Sequence, residues 1–336
     1  FTTGEIASAG ETICYAGTPA IIGSTTPASG GDGSIVYTWR SSADSYTDAI
    51  SGANTATYTP PVGLTTTTSY RRYANEGTCS TNPEVSTGTW TVTVRPQFTA
   101  GAIETTGETI CYAGTPSVIG NATLGSGGDG TITYSWRSSA NNYTTAISGA
   151  DQASYTPPTG LTSTTTYRRY VNDGTCNTTP TASTGEWTVT VYLQFNPGSI
   201  ASTSETICYN GDAAEITGQA ATGGDGTYSY QWQSSTTSAS AGFSDIASAV
   251  SVSYNPPSGL QTTTWFRRLA KSGCEQNFVE STNVFQVVVR DEFTAGEISS
   301  TGETICYAGT PATIGSTTPA SGGDGSIVYT WRSSAD

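Results

Sequence analysis

The chain has 336 residues, a net charge of −14, only 11% charged residues, twelve Lys and Arg, and neither His nor Met. So few basic groups cannot neutralise a run of phosphates, which excludes a nucleic-acid groove, and the lack of His removes Ser-His-Asp, Cys-His and His-ligated zinc chemistry. No apolar run reaches the roughly 20 residues of a membrane-spanning helix, so membrane insertion of this segment is not expected, and no signal peptide opens it.

In chain order, the first feature is "FTTGEI" at Phe1, which returns as "FTAGAI" at Phe98, "FNPGSI" at Phe195 and "FTAGEI" at Phe293. Behind it, "ETICYAGTP" at Glu11 returns at Glu108, Glu205 and Glu303. A period of 97 or 98 residues predicts domains at 1–97, 98–194 and 195–292, with 293–336 as the N-terminal part of a fourth, truncated one. Each whole unit is long enough to bury its own core. Residues 293–336 read almost letter for letter like 1–44, so the copying block is expected to be the triplet 1–292 and the chain an internal or processed window of something longer.

Within a unit, short alternating runs of Thr, Val and Tyr separated by turn signals predict an all-β, antiparallel sandwich. "GGDG" at Gly30, Gly127, Gly223 and Gly322 marks a turn. The strand behind it alternates, with Tyr37 and Trp39 on the core face; Trp136, Trp232 and Trp331 hold the same place in the other units. "YTPP" or "YNPP" then ends a strand, because proline cannot donate to a ladder. The penultimate strand carries an Arg-Arg pair, as in "SYRRYA" from Ser69, and alternation puts Tyr70, Arg72 and Ala74 on one face. Arg72 is expected to lie flat on an aromatic ring near the sandwich edge, its charge near solvent. The last strand, "TWTVTV" from Thr89, closes the unit.

Each whole unit holds two cysteines: Cys14 and Cys79, Cys111 and Cys176, Cys208 and Cys274, separated by 65, 65 and 66 residues. The core Trp lies between them, an order like that of immunoglobulin-type sandwiches, although the second Cys sits in a "GTC" or "SGC" turn beyond the Arg-Arg strand. Two pairings are open. One closes each unit on itself; the other joins Cys79 to Cys111, Cys176 to Cys208 and Cys274 to Cys306. The first is favoured, because the turn before a last strand lies at the opposite end of a sandwich from the exit to the next domain. Such a bond would add roughly 4 kcal/mol per unit and implies an oxidising compartment outside the cytosol. Cys306 would then lack its partner.

Other chemistry is scarce. No second carboxylate recurs at a fixed spacing from Glu11, Glu108, Glu205 or Glu303, which argues against glycoside hydrolysis and, with the missing His, against an enzyme. Calcium at Asp32, Asp129, Asp225 and Asp324 is disfavoured because neighbouring acids are missing, so no metal or cofactor is expected. Asn121, Asn142 and Asn177 are candidate glycosylation acceptors. The joints are short, only Arg95-Pro96-Gln97 at the first, with no flexible linker. Phe98, Phe195 and Phe293 are candidates for packing between neighbouring domains, giving a stiff rod or regular superhelix; equally, each Phe belongs to its own core.

The set "YTW" or "YQW", "YTPP", "YRR", "G.C" and closing "TVTV" resembles the tandem immunoglobulin-like repeats of giant secreted surface proteins of Bacteroidota, of which the gliding adhesins of the SprB kind are large examples. The resemblance implies export to the bacterial cell surface and a role as adhesin stalk or extracellular filament, with neighbouring repeats or like chains as partners. A second reading is an adhesive module binding surface glycans through Tyr46, Tyr143 and Phe243. A third makes these domains spacers of an exported enzyme.

Overall fold

The computed structural model describes residues 1–334; Ala335 and Asp336, at the end of the fourth segment, lie outside the described residues. The first repeat contributes β1 (Glu5–Ile6), β2 (Glu11–Ile13), β3 (Ser24–Thr26), β4 (Ile35–Ser41), β5 (Thr68–Glu76), β6 (Glu84–Val85) and β7 (Trp90–Val94). The second contributes β8 (Ala102–Ile103), β9 (Glu108–Ile110), β10 (Asn121–Thr123), β11 (Thr133–Ser138), β12 (Thr165–Asn172), β13 (Thr181–Ala182) and β14 (Trp187–Val191). The third contributes β15 (Glu205–Ile207), β16 (Tyr228–Ser235), β17 (Ser244–Asp245), β18 (Thr264–Ser272), β19 (Val279–Glu280) and β20 (Phe285–Val289), and β21 (Glu297–Ile298) and β22 (Ser316–Thr318) follow.

Each of the three repeats is an immunoglobulin-like, all-β sandwich built on one plan. The main sheet of the first runs β2-β7-β5-β4, with β6 on the far part of β5. Its partners are antiparallel except for β2, which lies parallel to β7. The equivalent sheets are β9-β14-β12-β11 and β15-β20-β18-β16-β17. Facing the first sheet, β1 pairs with β3, and bridges from Ile22 to Tyr58 and from Gly17 to Leu64 bind the intervening loops to the same layer. The chain divides into two compact units, residues 1–109, 115–159 and 164–190 in one and residues 110–114, 160–163 and 191–336 in the other.

The core follows from strand alternation. Trp39 is fully buried, stacks on Tyr58 at 5.5 Å and donates its indole N–H to the Thr55 carbonyl at 2.9 Å. Ile6, Ile22, Tyr70 and Val92 pack with it. Trp136 and Trp232 occupy the same place, each with its Tyr beneath it and its indole N–H bonded. Trp331 does not: it is 63% exposed, because residues 293–334 contain no counterpart of β5 and β7 to cover it, and without a pairing neighbour residues 327–332 form no strand.

The arginine expectation is corrected. Arg72 does point inward over the Tyr37 ring, at 4.9 Å, but no part of it reaches solvent. Its Nε donates to Ser86 Oγ, Nη1 to Ser24 Oγ and the Ala56 carbonyl, and Nη2 to the carbonyls of Thr3, Glu5 and Thr26, all at 2.7–3.3 Å. No ion pair accompanies it among the described residues. A buried charge is tolerated only when hydrogen-bonded throughout; here the guanidinium ties β1, β3 and two loops to β5. Arg169 and Arg268 repeat the arrangement on equivalent carbonyls. Burial pushes all three guanidinium pKa values down, with an opposing pull from the facing Tyr.

Candidate functional site: the closed joint between repeats

The joint is assembled from the ends of these strands. Because β7 lies parallel to β2, both finish at the exit of the first repeat, where the Arg95 N–H donates to the Ile13 carbonyl at 3.0 Å. The next carbonyl, Pro96, accepts the N–H of Gly128, in the Gly-Gly-Asp-Gly turn of the second repeat, at 2.9 Å. Only glycine fits there: Gly128 has φ +61, and a Cβ would fall 1.6 Å from Asp173 Oδ2.

That turn then holds the cysteine turn. Hydrogen bonds from the Thr175 hydroxyl and the Thr131 N–H, helped by Arg95, hold the Asp129 carboxyl below the usual range; Arg95 Nη1 lies 3.9 Å from its Oδ2. Asp173 Oδ1 accepts the N–H groups of Thr175 and Asn177 at 3.0 and 2.8 Å, and that of Cys176. Burial pushes the Asp173 pKa up, but these three bonds outweigh it. The turn delivers Cys176 to Cys14, next to Ile13, and the two are bonded.

The second joint repeats the ring. The Tyr192 N–H donates to the Ile110 carbonyl at 3.0 Å and the Gly224 N–H to the Leu193 carbonyl at 2.9 Å. Asp225 Oδ1 accepts the Gly273 N–H at 3.0 Å, and Cys274 is bonded to Cys111. Each bond lies inside one compact unit.

Both pairings read from the sequence are therefore corrected. The bonds Cys14–Cys79, Cys111–Cys176 and Cys208–Cys274 do not form, nor does the alternative set. The first cysteine of one repeat joins the second cysteine of the next, while Cys79, Cys208 and Cys306 are exposed thiols. The reason is distance. Cys14 lies at the exit end beyond Val94, and Cys79 lies beyond the opposite end of the nine-residue β5. At about 3.4 Å per residue that strand alone holds them some 25 Å apart, whereas a disulfide needs Cα atoms within about 7 Å. The cysteine turn does sit at the end opposite the exit; the sequence reading missed that the preceding repeat's cysteine waits there.

The other expected site residues fall outside the ring. Phe195 packs in its own repeat, on Tyr228 and beside Ala221, Tyr230 and Ala270, and Phe293 is 58% exposed, so the joint bonds come from backbone rather than from these rings. Phe98 Cα is 3.1 Å from the place a Gly127 Cβ would take, which seats Phe98 under its own repeat's turn. Asn121 Oδ1 accepts from Arg169, and Asn177 Nδ2 donates to Thr179 and Thr181, so both amides are engaged; Asn142 is exposed at a left-handed position. Tyr46, Tyr143 and Phe243 each lie half-exposed against an arginine, Arg71, Arg168 and Arg267, at 4.2, 3.9 and 4.2 Å. Folding does bring acids to the Asp turns, contrary to the sequence reading: Glu76 accepts the Asp32 N–H, and Asp173 borders Asp129. No group of three or more potential metal ligands occurs among the described residues.

The threefold recurrence has a counterpart among known sequences. Residues 2–96, 99–192 and 196–291 each match one family model, described as Domain of unknown function (DUF8696). The chain belongs to that family. No curated protein matches it. Among solved structures, mouse cadherin-23 EC22-24 aligns at 12% identity and a TM-score of 0.44, covering 87% of this chain and 100% of that one. Human CDH23 EC21-23 aligns at 14% and 0.39, covering 85% and 100%, and Sidekick-1 immunoglobulin domains 1-4 at 10% and 0.30, covering 88% and 76%. In the DUF8696 repeats, then, the ring of linker, Asp turn and cysteine turn is the feature that connects one family unit to the next.

Proposed function

We propose that these DUF8696 repeats form a structural segment of an extracellular surface protein, a stalk or filament in which each sandwich is a spacer covalently stapled to its successor. The observation that carries the reading is the pair of bonds Cys14–Cys176 and Cys111–Cys274, which join repeats instead of closing them. A bond inside a sandwich protects that sandwich alone, whereas a bond across a joint keeps neighbours together even after one of them unfolds. Stable disulfides also support an exported protein. The partners in this reading are neighbouring repeats of the same or like chains, and catalysis has no part in it. The narrower assignment, a Bacteroidota surface protein of the SprB kind, rests on motif order alone.

Non-reducing digestion of the protein from its native source, followed by mass spectrometry, is expected to yield both cross-repeat peptide pairs. Antibody labelling of intact cells is expected to reach the repeats. Free thiols at all four positions in native material, or labelling only after lysis, would overturn the proposal.

A further inference from the structure

Three of the twelve Lys and Arg are the buried guanidinium groups of Arg72, Arg169 and Arg268. Of the other nine, six stand on the outer face of the long central strands: Arg40 and Arg71 on β4 and β5, Arg137 and Arg168 on β11 and β12, and Arg267 and Lys271 on β18. In a chain of net charge −14, that face is where positive charge gathers. Arg40 and Arg71 sit directly opposite each other across the antiparallel pair, as do Arg137 and Arg168 in the second repeat. Like charges so placed cost stability. Rings flank them: Arg71 lies over Tyr46 at 4.2 Å and Arg40 over Tyr73 at 4.5 Å, with Arg168 over Tyr143 and Arg137 over Tyr170 at 3.9 and 4.2 Å.

The repeats differ in counter-charge. In the third, Gln233 takes the place of Arg40 opposite Arg267, Leu269 takes that of Tyr73, and Glu280 Oε2 lies 2.9 Å from Arg267 Nη1. In the second, Glu186 accepts from Arg168 Nε at 2.7 Å, while Arg137 has no ion pair among the described residues. In the first, Thr89 stands where Glu186 does and Val85 where Glu280 does, and neither arginine has an ion pair among the described residues. Arg71 Nε donates to Thr89 Oγ1 at 3.2 Å, and Arg40 Nη1 to the Tyr46 and Thr47 carbonyls at 3.3 and 3.1 Å. Among the described residues no protein acceptor meets either Nη of Arg71 or Nη2 of Arg40. The loop carboxylate of Asp44 is turned to the N–H groups of Tyr46 and Asp48.

We propose that this face of the first repeat binds an acidic polysaccharide, whose carboxylate or sulfate groups are taken by Arg40 and Arg71; Arg137 and Arg168 form a weaker copy in the second repeat, and the third has none. A guanidinium meets such anions with two N–H groups at once. An acidic sugar ring presents an anion, hydroxyls and an apolar C–H side in one unit. The face has a partner for each: the unengaged Nη groups, the hydroxyls of Ser69 and Thr91, and the half-exposed rings of Tyr46 and Tyr73. A strand-forming peptide finds no open edge beside the arginines, because the Tyr46 N–H donates to the Ser41 carbonyl and the Ile50 N–H to the Trp39 carbonyl, each at 2.8 Å. Since each ring already faces a guanidinium, charge selects the ligand, and a neutral glycan lacks the group that does so. The inference concerns what the repeats hold and stands apart from the staples that hold them together.

The full chain, isotopically labelled, is titrated with short oligomers of galacturonate, sulfated dextran, neutral dextran and glutamate, and its amide and arginine Nε–H resonances are followed. One or both acidic sugars are expected to shift residues 38–41 and 69–73, and more weakly 135–138 and 166–170, but not 231–235 or 265–269; the arm that binds names carboxylate or sulfate as the anion. Added salt should weaken the binding. Thr89→Glu and Val85→Glu place carboxylates beside Arg71 as in the other repeats and remove no arginine, and each is expected to weaken binding by the first repeat about three-fold or more. Glu186→Thr should strengthen it in the second. No shift with either acidic sugar, equal shifts in the third repeat, equal binding of neutral dextran or oligo-glutamate, or unchanged affinity in both T89E and V85E overturns the proposal.

Discussion

Removing one bond at a time tests the cross-repeat staple mechanically. The bonds close overlapping loops of 162 and 163 residues. Once every sandwich has unfolded under load, tension between Cys14 and Cys274 therefore crosses one bond, runs back along the 65 residues from Cys176 to Cys111, and crosses the other. At about 3.5 Å per residue that path is roughly 230 Å, against about 910 Å for the 260-residue reduced chain. C14S alone reroutes the path through the 97 residues from position 14 to Cys111, a gain of only 32 residues, or about 110 Å. Adding C111S then releases a further 163 residues, about 570 Å. Bonds confined to single repeats would instead release about 65 residues, roughly 230 Å, at each removal. Single-molecule force extension of oxidised, C14S and C14S/C111S chains separates the two patterns, and equal gains at the two steps would refute the overlapping loops.

Three further outcomes follow from the packing. Arg72→Ala strands the carbonyls of Thr3, Glu5, Thr26 and Ala56 in the core and is expected to destabilise the first repeat by about 3–5 kcal/mol; Arg72→Lys, with three donors for six contacts, should fail to restore it, and a loss under about 1 kcal/mol for R72A in urea unfolding read by repeat-resolved hydrogen exchange would contradict the account. Burial, with the neighbouring Tyr58 and Tyr155, pushes the Tyr70 and Tyr167 phenols up to about 12. Their contribution is complete below the unfolded value near 10 and is lost as pH rises toward 12, so the first two repeats should loosen in alkali before the third, where Phe266 stands at that place; Y70F should remove the difference for the first repeat and Y167F for the second in a pH-dependent melt. Asp129 titrates below its ordinary 3.8, so the hold on the Cys176 turn is complete above that value and weakens as pH falls beneath it. Asp129→Asn should flatten the acid limb of amide exchange at residues 173–177.

Much of this was legible in the residues because it depends on local period. Alternation along Ser69–Ala74 assigned Arg72 to the core face, and alternation after the Gly-Gly-Asp-Gly turn assigned Trp39, Trp136 and Trp232 to the interior, where they lie. The same rule failed for Trp331, since a face is buried only when strands distant in sequence come to cover it. The depth of Arg72 was hidden for a related reason. Four of its six acceptors are main-chain carbonyls, up to 69 residues away, and a carbonyl is present whatever the side chain; the other two are the hydroxyls of Ser24 and Ser86, in a chain where Ser is common, so no residue type announces the cradle.

The amino-acid sequence by itself determined the repeat, the strand faces and the two cysteines per unit, all set by spacing along the chain. Which cysteine meets which was decided only by the tertiary structure: near-equal intervals of 65 and 66 residues look alike whether a bond closes a repeat or crosses a joint. The choice fell to the parallel pairing of β2 with β7, which carries the first cysteine to the exit of its sandwich, and to the nine-residue β5, which holds the second at the entrance.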